Sequence, residues 1–326
     1  MRFAAAIVLA LGLVGAAPAR AQADKLTEIE ALQARDIQLF RIGWKLVTAN
    51  APYCADARPA IGALFHDAAA YGKPDRVRAE LDLAGDIAVQ ALAPESPAVA
   101  AGLTRNAGLL HLNGALLAET YPPSDPRWER MVDINASLDE ALAQGPIRIG
   151  WVAKGELPRE ATVTGVPACP SRFEVLDGGK RAVADGSRVI FGRGFAGFSY
   201  PEDQFAAAVA HELAHNLLGH RKMFDRVGRS QGLVRLTERD ADRMMPWLLY
   251  NAGYDPRAAA RFMTRWGPKY GGGLLRDRSH DGWDERVEFI EAELAKIAEA
   301  AQSHPAGLAD WQTGFVPELE IPHEAN

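Results

Sequence analysis

The strongest constraint on what this 326-residue chain can fold into is the run Ala208-Val209-Ala210-His211-Glu212-Leu213-Ala214-His215. Tyr200-Pro201-Glu202-Asp203 opens the segment with acidic residues that suit the positive end of a helix dipole, and a helix is expected from there to about His220. Its apolar and small residues require burial, so the rest of the chain has to build a core around it. On a helix, residues four apart share a face, so His211 and His215 turn both imidazoles toward one point, with Glu212 projecting beside it.

Two buried imidazoles converging on one point are a start on a metal site. A catalytic zinc takes three protein ligands and keeps one position open. Thr237-Glu238-Arg239-Asp240-Ala241-Asp242, at the start of the next expected helix (about 236 to 252), supplies what is missing. Glu238 and Asp242 are again four apart. Glu238 fits the third ligand to one Zn2+ per chain. Asp242 fits the carboxylate that accepts the free N–H of a ligand histidine and fixes its tautomer. Glu212 fits the general base that takes a proton from the attacking water. His220, five positions after His215, is expected to point away from the metal face in a second-sphere or structural role. A purely structural zinc domain is disfavoured, because such sites are closed and rich in Cys, and neither cysteine lies near these histidines.

Taken together, His211-Glu212-x-x-His215, His220, Glu238-x-x-Ala241-Asp242 and Ala252-Gly253-Tyr254-Asp255-Pro256 resemble the CAAX prenyl endoprotease family of zinc metallopeptidases. HtpX, BepA and the Oma-type mitochondrial proteases are relatives within it. Ala182-Val183-Ala184-Asp185-Gly186 and Pro201-Glu202-Asp203-Gln204-Phe205 also match family positions, and the resemblance covers about residues 170 to 300. It implies a gluzincin-type domain that cleaves peptide bonds. It further implies that His280, in Ser279-His280-Asp281, sits near the metal as a fourth ligand or plug, with Arg286 associated. Gly271 to Gly273 would let that loop move. The family usually carries Asn where Arg181 stands, which bears on cleavage preference. Pro246 falls inside the Glu238 helix and removes a backbone donor, so a kink or break is expected just past the ligand turn.

The remainder of the chain sets the context. Apolar spacing over residues 25 to 50 (Leu26, Ile29, Leu32, Ile37, Phe40, Trp44) predicts an amphipathic helix, and a second helix is expected over Ala57 to Tyr71. From about Arg76 to Ala168 the texture turns to short strands and turns. Val89 to Ala98, Ala101-Gly102-Leu103 and Leu109 to Gly114 resemble a PDZ domain, with Asn106-Ala107 where Gly-Asp is common. A helix over Asp133 to Gln144 and a strand over Ile147 to Lys154 complete it. The resemblance implies peptide capture by strand addition, with Gly85-Asp86-Ile87 as a weak candidate for the carboxylate loop. Cys54 and Cys169 bracket this segment and form a candidate disulfide in an oxidising compartment.

Arg2, the apolar run Phe3 to Ala17 and the small residues around Ala19 to Ala23 read as a secretory signal peptide, which predicts a periplasmic or secreted protein without stable membrane insertion after cleavage. A net charge of −6 gives no electrostatic case for nucleic acid. The expected fold class is therefore α+β, a mainly helical gluzincin-type metallopeptidase domain with a small β-rich PDZ-like domain inserted between N-terminal helices and the catalytic core. The expected segments are a signal peptide (1–23), N-terminal helices (24–75), the PDZ-like domain (76–168), the metallopeptidase domain (169–302) and a loosely packed tail (303–326). The expected activity is hydrolysis of polypeptide substrates in protein quality control or processing. The alternative is a latent-site peptide-binding or chaperone-like protein.

Overall fold

The first helix, α1 (Glu28–Ala49), begins at a reciprocal cap. The Thr27 N–H donates to Glu30 Oε2 at 2.7 Å and the Glu30 N–H donates to Thr27 Oγ1 at 3.2 Å. Its stripe of Leu32, Leu39, Ile42 and Leu46 is buried. In the computed structural model, which describes residues 27–270, 281–304 and 306–319, the buried face of α1 belongs to the largest hydrophobic core. The expected signal peptide, Gly271 to Gly273 and His280 lie outside the described residues. No helix among those described is long and apolar enough to cross a membrane.

Residues 57 to 71 do not form the expected second helix. They form strands β1 (Arg58–Ala60) and β2 (Ala63–Asp67), followed by a short 3₁₀ turn. Pro59 and Gly62, the latter in the left-handed region at φ +70°, are incompatible with a continuous helix. The next pieces are α2 (Pro74–Glu80), β3 (Ile87–Leu92), α3 (Pro97–Ala100), β4 (Gly108–Leu112) and β5 (Ala115–Leu116). They lead into α4 (Leu117–Thr120), α5 (Glu129–Gln144), β6 (Ile147–Val152), β7 (Arg159–Val163) and β8 (Val166–Ala168). Strands β2-β3-β4-β6-β7, with β5 on β4, make one sheet. Since β2 begins at Ala63, this β-rich part starts ahead of the expected boundary at 76. Leu138 and Leu142 of α5 pack into its core with Val89, Ile147 and Trp151.

The second part begins with β9 (Arg172–Leu176), β10 (Ala182–Ala184) and β11 (Arg188–Gly192), paired in the order β10-β11-β9. Helices α6 (Glu202–Leu217), α7 (His220–Val227), α8 (Gln231–Asn251), α9 (Ala258–Tyr270) and α10 (Trp283–Ser303) follow, and α11 (Trp311–Gly314) closes the chain. The chain is thus a mixed α+β protein with several sheets. Gly43 on α1 lets the helix lie directly on β9, since a Cβ there would fall 2.3 Å from the Phe173 ring. Helix α8 runs through Pro246 without the expected break. Met244, Met245, Trp247 and Leu248 are fully buried on both sides of it, and that packing outweighs a proline cost of about 3 kcal/mol.

The described part of the tail, up to residue 319, is docked and not loose. Phe315 and Ala309 are buried, the Trp311 indole N–H donates to Asn50 Oδ1, and Gly314 sits against the Trp247 ring. Further on, the Glu318 and Leu319 N–H groups donate to the Asp240 carboxylate. These anchors are aromatic rings and backbone donors, which a count of Pro, Gly and His does not reveal.

A buried polar chain joins the two parts. Gln33 on α1 donates to Gln90 on β3 and to Asn106, Gln90 donates to Asp36, and the Val175 N–H on β9 donates to Asp36 Oδ1. Asn106 is left-handed (φ +67°), a conformation that Asn tolerates in place of glycine. Burial pushes the Asp36 carboxyl up to about 7, against the lowering effect of its Gln90 and Val175 bonds. A carboxyl raised in the folded state stabilises fully below its unfolded value near 4, and that contribution is lost as pH rises through about 7. Raising the pH from 4 to 8 should therefore lower the unfolding free energy, read by denaturant titration, further in the parent than in Asp36→Asn, by roughly 3 kcal/mol. Equal pH dependence in the two would contradict this. The Cys54–Cys169 disulfide closes a separation of 115 residues that contains the whole larger sheet. Reducing it should cost about 4 to 5 kcal/mol in urea unfolding, on the chain-entropy account.

Candidate metal centre

Helix α6 carries Ala206, Ala207, Ala208, Ala210 and Ala214, all buried. Side chains this small let α8 pack closely against α6, with the buried Ala241 on α8. That approach brings Glu238 and Asp242 to the histidine face. His211 Nε2 lies 3.2 Å from His215 Nε2 and 3.3 Å from Glu238 Oε2, while His215 Nε2 lies 3.5 Å from Glu238 Oε1. Among the described residues, these three form the group of His, Cys, Asp and Glu side chains able to share a metal ion.

Behind the three donors stands a second set of contacts. His211 Nδ1 lies 3.1 Å from Asp242 Oδ1. Arg286 on α10 grips the same carboxylate with two bonds, Nε to Oδ2 at 2.5 Å and Nη2 to Oδ1 at 2.7 Å. His220 was expected to face away, yet its Nδ1 lies 2.8 Å from His215 Nδ1. The reason is that α6 ends at Leu217 and Gly219 (φ +65°) turns the chain, so the five-residue spacing is not helical. Each imidazole therefore presents Nε2 to the centre and engages Nδ1 from behind.

The histidines of the centre titrate apart from one another. Burial opposes a charged His211, but its contacts with Asp242 and Glu238 prevail and push it up to about 10. Burial instead takes His215 down to about 4, and His220 to about 3 with His215 adding to the effect. For Asp242, burial acts upward, but Arg286 and His211 hold the carboxyl below its ordinary range. Burial lifts Glu212 to about 7, with His211 and the Ala184 backbone N–H pulling the other way and Glu238 adding to the rise. Without a bound metal, His211 thus holds a proton between Asp242 and Glu238 while His215 and His220 stay neutral.

A cleft of about 1210 Å³ opens over these residues. One wall is β10, and the opposite wall carries Phe262, Met263, Trp266 and Tyr270 of α9. The Gly192 N–H donates to the Arg181 carbonyl and the Asp185 N–H to the Arg188 carbonyl. In an antiparallel pair bonded groups alternate, so Ala182 and Ala184 turn their N–H and C=O groups to the free edge. Asn216, which sequence reasoning passed over, locks this hairpin to α6. Its Oδ1 accepts from the Gly186 N–H, and its Nδ2 donates to the Arg188 carbonyl and to Ser171 Oγ. Its place one residue after the histidine pair was the available signal. A second cavity of about 350 Å³ lies between α1, α5 and the Arg58 to Phe65 segment. The Gly85-Asp86-Ile87 candidate does not line it. Asp86 is instead taken up by Arg78 at 2.7 Å.

Arg286→Met leaves the buried Asp242 carboxylate without its cation. Loss of one partner of a buried pair should lower unfolding stability by about 3 kcal/mol or more, read by urea denaturation. An unchanged midpoint would show that the pair is not needed. No protein-family model and no curated protein matches the chain.

Proposed function

We propose that this chain is an extracytoplasmic zinc endopeptidase of the gluzincin type, holding one Zn2+ through His211, His215 and Glu238 and using Glu212 as general base. The observation that carries the proposal is the triangle of donors 3.2 to 3.5 Å apart. Zinc bound at 2.0–2.1 Å in tetrahedral geometry separates its ligand atoms by about 3.3 Å. The Nδ1 contacts from Asp242 and His220 support the same reading. When bound, the ion polarises the scissile carbonyl and acidifies water.

The chain's own residues do the rest. Glu212 takes the proton of the attacking water and delivers it to the departing amine nitrogen. The free edge of β10 offers the N–H and C=O groups of Ala182 and the C=O of Ala184 to an extended substrate, which would join the sheet as an added strand. The sheet of β2 to β7, with α5 and the second cavity, resembles a PDZ domain and would select polypeptides by the same strand addition. The Cys54–Cys169 disulfide agrees with an oxidising compartment.

Glu212→Gln should retain zinc by metal analysis while hydrolysis of casein falls by about a hundredfold or more. Parent-level turnover in that variant, or the absence of zinc from the parent protein, would overturn the assignment.

A further inference from the structure

Five cationic side chains line the cleft, and three are engaged. Arg221 pairs with Asp225 at 2.9 Å, Arg229 stacks on the Phe224 ring, and Arg286 is held by Asp242. Lys180 and Arg181 are exposed at one end of the free β10 edge and form no ion pair among the described residues. The Arg181 backbone is fixed by the bond its carbonyl accepts from Gly192 at 2.8 Å. The guanidinium is therefore attached to a rigid strand while remaining available to a ligand.

The position of that charge along the strand has a chemical meaning. Ala184 ends β10 and lines the cleft together with Glu212, His211, His215 and Glu238, so the reacting carbonyl belongs beside Ala184. A chain added to the β10 edge in the more stable antiparallel sense runs from Ala184 toward Arg181 in its N-to-C direction. Three residues of strand cover about 10 Å. A substrate residue two or three positions past the scissile bond thus arrives at Arg181, with Lys180 adjacent.

We propose that Arg181, supported by Lys180, is a specificity residue that binds a substrate carboxylate two or three residues on the C-terminal side of the cut, which favours trimming near a free C terminus. This rests on the peptidase reading above. An acidic side chain offers the same carboxylate chemistry as the terminal α-carboxylate, and the peptides of the test separate the two sources.

The test uses zinc-loaded full-length Glu212→Gln, which binds without turnover, and fluorescence anisotropy with N-terminally labelled octapeptides rich in Ala and Phe. One peptide ends in a free carboxylate, one is the same sequence amidated, and a longer amidated peptide carries an internal Glu with a Gln control. The free acid should bind about tenfold more tightly than the amide, and adding Arg181→Asn should reduce that ratio to near one. Preference for Glu over Gln without preference for the free acid would overturn the C-terminal assignment. Equal binding of acid and amide, or a ratio unaffected by Arg181→Asn and Lys180→Gln together, would overturn the role of these cations while leaving the peptidase reading intact. If none of the peptides binds, the peptidase reading fails and this inference with it. In the parent enzyme, mass spectrometry of digests should find release of C-terminal di- and tripeptides, with the Arg181→Asn effect falling on KM more than on kcat.

Discussion

Asp242 has no exposed surface, and its carboxylate is shared between His211 on one side and the Arg286 guanidinium on the other. Removing a carboxylate from water is costly, and the cost is recovered only when strong, well-aligned partners replace the water. Here the carboxylate and its two partners sit on three different helices. His211 rides on α6, Asp242 on α8 and Arg286 on α10, so the satisfied carboxylate requires all three to be in register. The same close approach of Asp242 Oδ1 to His211 Nδ1, at 3.1 Å, places the His211 ring with Nε2 toward His215 and Glu238. Packing of the helical core and geometry of the candidate metal centre are therefore one requirement.

Around that pair the structure adds successive restraints. Arg243 donates to Asp240, Glu293 and the Val316 carbonyl, and Trp247 donates to Glu293, which binds α8 to α10 and to the tail. Arg239, next to Glu238, reaches both Asp281 and Glu318. Asn216 holds the β10–β11 hairpin against α6, so the edge strand and the histidines keep a constant separation. Catalysis by positioned groups depends on such restraint, because small displacements of a base or a substrate strand cost large factors in rate.

Much of the centre was legible in the chain because helical periodicity is a local property. The spacings of His211 to His215 and of Glu238 to Asp242 dictate shared faces whatever surrounds them, and an apolar run around a histidine pair announces burial. Other features were illegible for equally physical reasons. The path of the chain after Leu217 depends on a left-handed Gly219, so the placement of His220 could not follow from helical counting. Residues 57 to 71 have helix-compatible composition, but pairing with β3, a partner more than twenty residues away, makes β2 a strand. The tail is held by Asn50 and Asn251, which lie in remote parts of the sequence.

By itself the sequence determined which residues could share a metal ion, because ligand chemistry and the helical repeat are encoded within a few residues of one another. It also identified the cysteine pair and the unusual arginine ahead of the edge strand. Tertiary structure alone decided that α6 and α8 pack together, that His220 backs His215, and that Arg181 lines the cleft without an ion pair among the described residues. These depend on contacts between segments far apart in the chain, where long-range packing and desolvation outweigh local preference.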